Sequence, residues 1–249
     1  MAHREFPHKL EFQPFPDIKI QVLQIPDLLR FLLNTPPVPG QYQTRPPRIF
    51  DRSDFARDFL SDDELSRLNA FKAMKKQVEW MSGRFAAKHL ARQSLKQPFS
   101  ALPFRDIHIR YQEHGAPFLE QCPNLCLSLS HSGIYTAAAV ATTPGTVMGI
   151  DLEAVGDLPD KHFMNTAFTR AEIRAMETAP ADVFRHWTLK EAYLKYIRMG
   201  FNESLHHVEI IQNTVVYKGV AQNLACWSRD LDQGYILSMV SDPPAGSHS

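Results

Sequence analysis

The alternation of apolar and polar positions predicts strands and helices in both halves of the chain. Residues 1 to about 60 are proline-rich, with Pro36, Pro37, Pro39, Pro46 and Pro47 close together, and predict an extended lead-in that wraps the surface. IKIQVLQI (residues 18–25) predicts a strand that interrupts it. From residue 62 to about residue 95, apolar positions recur at helical spacing and predict two helices. DIHIRYQ, LCLSLS and YTAAAVAT then predict strands, and the small residues of the last one suit burial on both faces.

The second half begins with VMGIDLEAV, a predicted strand that carries two acids. Thr169 and Glu172 form a capping box, as Ser61 and Glu64 do earlier, and a longer helix is expected over residues 182–198. VEIIQ, TVVYK and YILSMV predict further strands. The turn TTPGT is the candidate boundary between a subdomain of residues 1–145 and one of residues 146–249. The chain therefore predicts an α+β fold.

Composition excludes some partners. The chain has 27 basic and 27 acidic residues, so no net charge favours nucleic acid or a membrane surface. The distribution is uneven, because residues 41–110 contain 14 Lys and Arg against 8 Asp and Glu. A basic first half and a carboxylate-bearing second half suit an anionic ligand that binds together with a metal.

Cysteine usage and the apolar runs indicate the compartment. Cys122, Cys126 and Cys226 are too few and too scattered for a disulfide framework, and they form only a weak zinc pattern. The first residues lack an apolar signal core, and no run approaches the roughly 18 apolar residues of a membrane span. We expect a cytoplasmic protein.

Asp151 and Glu153 share one face of the predicted strand, because alternate side chains of a strand point to the same side. Two neighbouring carboxylates favour a bound cation, although the acids of such a strand end can also cap a helix or pair with an arginine. Gly149, just before them, leaves space for a ligand or for another backbone.

HWTLKEAYLK places Trp187, Glu191 and Lys195 on one helical stripe, with Lys190 beside it. Taken alone, this pattern is typical of a core tryptophan and an exposed ion pair. Beside GIDLE, Glu191 becomes a candidate third carboxylate of an oxygen-only Mg2+ site that shares its metal with substrate phosphates.

SLSHSG ends an alternating strand, where Ser130 and His131 point to opposite faces. They are poorly placed as nucleophile and base, and the motif is not a nucleophile elbow, so a serine hydrolase is disfavoured. His131 is either a donor to an anion or a structural histidine.

These three motifs, in this order, resemble those of the 4'-phosphopantetheinyl transferases, in the larger class that activates carrier proteins of fatty acid, polyketide and nonribosomal peptide synthesis. The family's G-x-D-hydrophobic-E strand is matched by Gly149, Asp151 and Glu153. Its W-x-x-K-E-x-x-x-K helix is matched by Trp187, Lys190, Glu191 and Lys195. The resemblance covers residues 75 to 201.

The resemblance implies two similar α/β halves, related by a pseudo-twofold axis, with coenzyme A in the cleft between them. It implies that Asp151, Glu153 and Glu191 hold Mg2+ on the coenzyme A pyrophosphate. The positions expected to bind coenzyme A are Lys75, Lys76, Arg84, Ser130, His131, Asp151, Lys190 and Lys195. Ala116 stands where the family often carries a lysine, so that phosphate contact is either missing or supplied by His114 or another basic residue.

The implied reaction is attack by a carrier-protein serine on coenzyme A, with release of 3',5'-ADP. Glu191, directly or through a metal-bound water, is the hypothesised base, and Lys195 supports the departing phosphate. The alternatives are a Mg2+-dependent phosphohydrolase that acts on a nucleotide pyrophosphate and a non-catalytic carrier-binding relative, which the intact motifs disfavour. A monomer is expected, because two internal halves complete the cleft.

The carrier docking surface is not located by the sequence. The helix after Thr169 and residues 164–168 are candidates because they lie between the two acid-bearing motifs, and ordinary core and loop is the alternative.

Overall fold

The computed structural model describes residues 7–33, 54–177 and 179–244. The prolines from Pro36 to Pro47 lie outside the described residues. The helices are α1 Ile25–Leu33, α2 Asp54–Phe59, α3 Asp62–Ala70, α4 Met74–Ser94, α5 Lys161–Ala167, α6 Arg170–Ala175 and α7 Pro180–Tyr196. The strands are β1 Lys9–Phe15, β2 Ile18–Gln24, β3 Ile109–Tyr111, β4 Pro117–Leu119, β5 Leu127–Ser132, β6 Tyr135–Ala141, β7 Met148–Ala154, β8 Val208–Ile211, β9 Thr214–Tyr217, β10 Val220–Ala221, β11 Ala225–Leu231 and β12 Tyr235–Ser241. The fold is α+β, as predicted.

Two antiparallel sheets, each covered by one long helix, form the centre of the molecule. The first has the strand order β1-β2-β6-β5 and packs against α4. The second has the order β11-β12-β7 and packs against α7. Strand β6 is buried on both faces, as its small residues predicted: Ala138 and Val140 join the core under α4, while Ala137 and Ala139 face the second sheet. None of the helices in the described ranges is both long and apolar enough to cross a membrane.

Serine side chains join the edges of the two sheets. Three hydroxyls of β5 each accept a hydrogen bond from a backbone amide of β7, at N–O distances of 3.0, 3.2 and 3.3 Å; the pairs are Ser128 with Ile150, Ser130 with Leu152 and Ser132 with Ala154. The SLSHS segment is therefore the junction between the sheets, and it holds β5 directly beside the acid-bearing strand.

Gly149 permits the close approach of β7 and α7. A Cβ atom at this position would overlap the carbonyl oxygen of Ala192 and the backbone nitrogen of Tyr196. Of the two explanations that the sequence allowed for this glycine, the structure selects the approach of another backbone.

The same helix arrangement occurs once in each half. The capping box of Ser61 and Glu64 begins α3, and the box of Thr169 and Glu172 begins α6, both as predicted. In each case the buried glutamate pairs with a buried lysine of the long helix; the pairs are Glu64 with Lys88 and Glu172 with Lys190. This repetition supports the idea of two similar halves, while the pseudo-twofold relation and the boundary at residues 142–146 stay predictions.

Some elements differ from the expectations. Helix α7 begins at Pro180, two residues earlier than predicted, because proline suits the first turn of a helix, where its missing N–H is not needed. The pattern did not predict α1, α2, α5, β1, β4, β10 or β11. The prediction of an extended surface lead-in is wrong for residues 9–33, because the apolar side chains of β2 and α1 are buried in the core. Among the described strands, β11 pairs only with β12, and it is mostly half-buried or exposed, so its sequence lacks the alternation of a strand with one buried face.

Candidate active site

A cavity of about 830 Å3 lies where α4, β5, β7 and α7 meet, beside the hairpin of β3 and β4. Nine of the predicted site residues line it: Lys75, Lys76, Arg84, Ser130, His131, Asp151, Glu153, Glu191 and Lys195. Two sheets and two helices that are far apart in sequence thus contribute to one pocket.

Asp151 is at the centre of the acidic wall and is 4% exposed. Its Oδ1 atom accepts hydrogen bonds from the Ser130 hydroxyl and from Lys195 Nζ, both at 2.8 Å. Lys195 also donates to Ser130 Oγ at 3.1 Å and to the Leu129 carbonyl at 3.2 Å. Lys195 therefore connects the acid-bearing strand to β5 across the sheet junction.

The other two acids, Glu153 and Glu191, have raised pKa values. Burial, reinforced by the charge of Asp151, raises the pKa of Glu191 to about 7. Burial and Asp151 also raise the pKa of Glu153, although Ser132 donates a hydrogen bond to its Oε2 at 2.8 Å. Three carboxyl groups close to one another repel in their charged forms, so this wall favours a proton or a cation.

The donor set of this wall fits a hard divalent cation, since it offers only oxygen atoms. Asp151 Oδ2 and Glu191 Oε1 are buried and have no hydrogen-bond partner among the described residues. Within the described ranges, however, no three His, Cys, Asp or Glu side chains stand as a group that could hold a metal ion. Lys195 binds Asp151 in this arrangement. The three acids therefore line one pocket, but their side chains would have to change conformation to hold one metal ion together.

Arg84 is the most buried residue of the basic wall. It is 2% exposed, and its guanidinium carbon lies over the rings of Trp80 and Tyr111, at 4.6 and 4.9 Å from their centroids. Its Nε atom is 3.3 Å from Glu64 Oε1, and burial lowers its pKa. These two cation–π contacts restrict the position of the guanidinium.

The other basic residues of this wall are more exposed to solvent. The Lys75 side chain is 67% exposed and its Nζ lies 3.7 Å from Glu79 Oε1. Lys76 lies over the Phe71 ring. His131 Nδ1 is 4.0 Å from Glu79 Oε2, and burial lowers the pKa of His131. His131 lines the pocket, which fits the anion-donor alternative better than that of a core histidine.

Lys190 is the one predicted coenzyme A contact that the structure contradicts. It is fully buried and donates to Glu172 Oε2 and the Ala167 carbonyl, both at 2.7 Å, and to the Leu205 carbonyl at 3.1 Å. All three donors of its ammonium group are thus used inside the protein. Lys190 fixes the start of α6 against α7 and does not reach the pocket.

The candidate docking segment is also partly core. Ala167 and Phe168 are each 1% exposed and pack with Val183 and Trp187. These residues cannot contact a carrier protein in this arrangement, which favours the alternative of ordinary core for the end of residues 164–168.

The sequence did not single out Trp80, Tyr111, Glu79 or Arg198, all of which line the pocket. Glu79 lies four residues after Lys75 on a predicted helix, which places it on the same face and is a signal that the sequence contains. The others gain their positions from tertiary packing, for which the sequence gives no local sign.

Residues 147–240 match the family model described as the 4'-phosphopantetheinyl transferase superfamily. This segment contains Asp151, Glu153, Glu191 and Lys195, which meet in the pocket. The region from residue 75 to residue 146, with the basic wall, lies outside the matched segment.

Curated relatives agree with the family match. The chain is 26% identical over 148 residues to the 4'-phosphopantetheinyl transferase gsp of Aneurinibacillus migulanus, an alignment that covers 56% of this chain and 60% of the relative. It is 29% identical over 169 residues to the L-aminoadipate-semialdehyde dehydrogenase-phosphopantetheinyl transferases of Rattus norvegicus and Mus musculus, covering 60% of this chain and 52% of each relative. The chain thus spans about half to three fifths of the length of these relatives. The segment of residues 147–240 thus matches the 4'-phosphopantetheinyl transferase superfamily, and the predicted resemblance to this family is confirmed.

Proposed function

We propose that this protein transfers the 4'-phosphopantetheine group of coenzyme A to a serine of an acyl or peptidyl carrier protein. The observation that carries the proposal is a single pocket with carboxylates from β7 and α7 and cations from α4. A substrate with several phosphates needs both, because its charge is neutralised by basic side chains and by a metal that the acids hold.

The basic wall would bind the nucleotide end of coenzyme A. Arg84 is pre-oriented by its two aromatic neighbours, so little side-chain entropy is lost when it binds a phosphate. Lys75 and Lys76 are exposed cations nearby on the same helix and would add charge without fixed geometry.

Asp151, Glu153 and Glu191 would hold Mg2+, which supplies charge neutralisation to the pyrophosphate when it is bound. The support from the structure is the pair of buried carboxylate oxygens without partners in the described ranges and the repulsion that helps to raise the pKa of Glu191 to about 7. A cation would relieve that repulsion.

Glu191 would act as the base. As the carrier serine oxygen bonds to the pantetheine-side phosphorus, the pyrophosphate bond breaks, 3',5'-ADP leaves and the serine proton passes to the Glu191 carboxylate. Without a bound cation the pKa of Glu191 is about 7, which suits a group that accepts a proton near neutral pH; a cation held by the same carboxylate would lower that pKa. Lys195, within reach of Asp151 and Ser130, would neutralise charge on the departing phosphate.

The test is mass spectrometry of an apo carrier protein incubated with this protein, coenzyme A and Mg2+. The expected result is a mass gain of one phosphopantetheine group, lost with EDTA and with Asp151→Asn. The absence of any gain on carriers from fatty acid, polyketide and nonribosomal peptide systems would overturn the proposal.

The phosphohydrolase alternative gains no support, since the matching family and the curated relatives are transferases by name. Three free thiols fit the reducing cytoplasm that we propose as the site of the reaction. A monomeric state remains a prediction.

A further inference from the structure

Arg198 occupies an unusual backbone position at the end of α7. The amide of Met199 donates to the carbonyl of Leu194 and the amide of Arg198 donates to the carbonyl of Lys195, both at 3.1 Å. These two bonds form a Schellman motif with Arg198 at the residue after the C-cap. Its φ is 59°, in the left-handed region, where glycine is strongly preferred.

The strained position directs the side chain into the pocket. Arg198 lines the cavity, and its Nη1 atom donates to Gln112 Oε1 at 3.3 Å. It also lies close to the buried thiol of Cys126, where it opposes the rise in pKa that burial causes. The Schellman motif accounts for the left-handed backbone, but glycine would adopt it without strain, so the arginine at this pocket wall is a reason to look for a function of its side chain.

Within the described ranges, Arg198 has no salt bridge to a carboxylate. Three other cations of the pocket differ in this respect, because Arg84 lies near Glu64, Lys195 binds Asp151 and Lys75 lies near Glu79. Lys76, over the Phe71 ring, resembles Arg198 in having no salt bridge among the described residues. Since the Gln112 amide is neutral, the positive charge of Arg198 is left for an anion that enters the pocket.

Arg198 reaches the hairpin that carries the chain's departure from the family pattern. Gln112 and Ala116 close the turn between β3 and β4 through a hydrogen bond from the Gln112 amide to the Ala116 carbonyl, at 2.9 Å. Both line the cavity. The guanidinium therefore lies beside the turn in which Ala116 replaces the lysine of the family pattern. His114 of the same turn, the other candidate for this charge, also lines the cavity.

We propose that Arg198 binds a phosphate group of coenzyme A and supplies, from the end of α7, the positive charge that Ala116 does not provide in the β3–β4 turn. This inference rests on the proposed function, because it takes coenzyme A as the ligand. It makes Arg198 a substrate-binding residue that α7 presents in addition to Lys195.

Equilibrium binding of coenzyme A and of 3'-dephospho-coenzyme A, measured by titration calorimetry, tests the proposal. The key variant is Arg198→Gly, because glycine removes the guanidinium and also relieves the left-handed backbone. Arg198→Lys keeps a positive charge, Gln112→Ala removes the neutral partner alone, and Arg229→Ala, at an exposed position on β11, is the matched control for loss of an arginine.

The expected result is an affinity for coenzyme A that is about tenfold to a hundredfold lower in Arg198→Gly, the range of one charge-assisted hydrogen bond. We expect a melting temperature equal to or above that of the parent, partial retention of affinity in Arg198→Lys and no change in Arg229→Ala. A smaller loss for 3'-dephospho-coenzyme A assigns the contact to the 3'-phosphate, and an equal loss assigns it to the pyrophosphate.

Unchanged affinity for both ligands in Arg198→Gly would overturn the proposal. A melting temperature that falls equally in Arg198→Gly and Gln112→Ala, with affinity unchanged, would show that Arg198 only ties the hairpin to α7. If the parent protein itself fails to bind coenzyme A, the proposed function fails first, so the two failures are distinguishable.

Discussion

At the scale of single residues, the chemistry of the pocket depends on how Glu191 is placed. Helix α7 buries its carboxyl group near Asp151 and Glu153, and one of its oxygens has no hydrogen-bond partner in the described part of the chain. Lys195, one turn further along the same helix, binds Asp151 instead. The two neighbouring side chains therefore have different environments, which supports different roles for them.

Replacing Glu191 should cost more activity than replacing Lys195. Glu191→Gln removes the proposed base and a proposed metal ligand, and we expect transfer to fall by about a thousandfold or more. Lys195→Ala removes one charge-stabilising group and should reduce transfer by roughly tenfold to a hundredfold. Initial rates of carrier modification at saturating coenzyme A measure both; equal and small losses would contradict this assignment.

The raised pKa of Glu191 also predicts how stability depends on pH. Because its pKa rises from an ordinary value of 4.5 to about 7 in the folded protein, the folded state retains a proton that the unfolded state has lost. The contribution of Glu191 is therefore fully present below about pH 4.5 and is lost as the pH rises through 7. Urea unfolding in EDTA should show a steeper loss of stability between about pH 5 and pH 8 in the parent than in Glu191→Gln; parallel curves would argue against the shift.

At the scale of secondary-structure elements, buried ion pairs fix short helices against the long ones. Glu172 caps α6, accepts from the Ile210 amide at 3.0 Å and binds Lys190 of α7. One carboxylate thereby sets the positions of a helix start, a strand and a long helix. The Glu172–Lys190 pair stabilises the packing of these elements and does not line the pocket.

Lys190→Met should therefore lower stability without altering ligand binding. The variant leaves Glu172 buried without its cation, and we expect a loss of about 3–5 kcal/mol in the free energy of unfolding. The double variant Lys190→Met with Glu172→Met should recover part of the lost free energy of unfolding, because no buried charge is left unpaired. Calorimetry on the folded variant should give an unchanged affinity for coenzyme A. A weaker affinity in a variant that is fully folded would show that Lys190 belongs to the binding site after all.

Gly149 should tolerate no side chain. In Gly149→Ala the new methyl group would overlap backbone atoms of α7, which cannot move aside as a flexible side chain can, so we expect a loss of about 3 kcal/mol or more. Gly156→Ala is the matched control, because its Cβ would meet only Phe184, at 3.8 Å. Similar chemical-denaturation midpoints for the two variants would contradict the close packing of β7 on α7.

At the scale of the whole molecule, the pocket exists because two sheet edges meet. Residue spacing alone predicted that Asp151 and Glu153 share a face and that Glu191 and Lys195 share a helical stripe. The resemblance to the family added the basic residues of α4. The serine junction that brings β5 beside β7 could not be predicted, since it depends on which edges meet after each sheet has formed.

The errors have equally specific causes. Lys190 lies next to Glu191 in sequence, but successive residues of a helix point about 100° apart, and its side chain enters the core. Sequence reasoning also missed Arg198, because its place in the cavity lining depends on a left-handed residue beyond the helix end, which a helical pattern does not describe. Tertiary context decides such positions, and the local sequence carries no sign of it.

The most direct test of the central claim is to follow coenzyme A and 3',5'-ADP by chromatography, with and without an apo carrier protein, in the presence of Mg2+. A transferase needs the serine acceptor, so we predict that 3',5'-ADP appears only with the carrier and in equal amount to the phosphopantetheine attached to it. Release of 3',5'-ADP at the same rate without a carrier would show that water is the acceptor and would contradict the account.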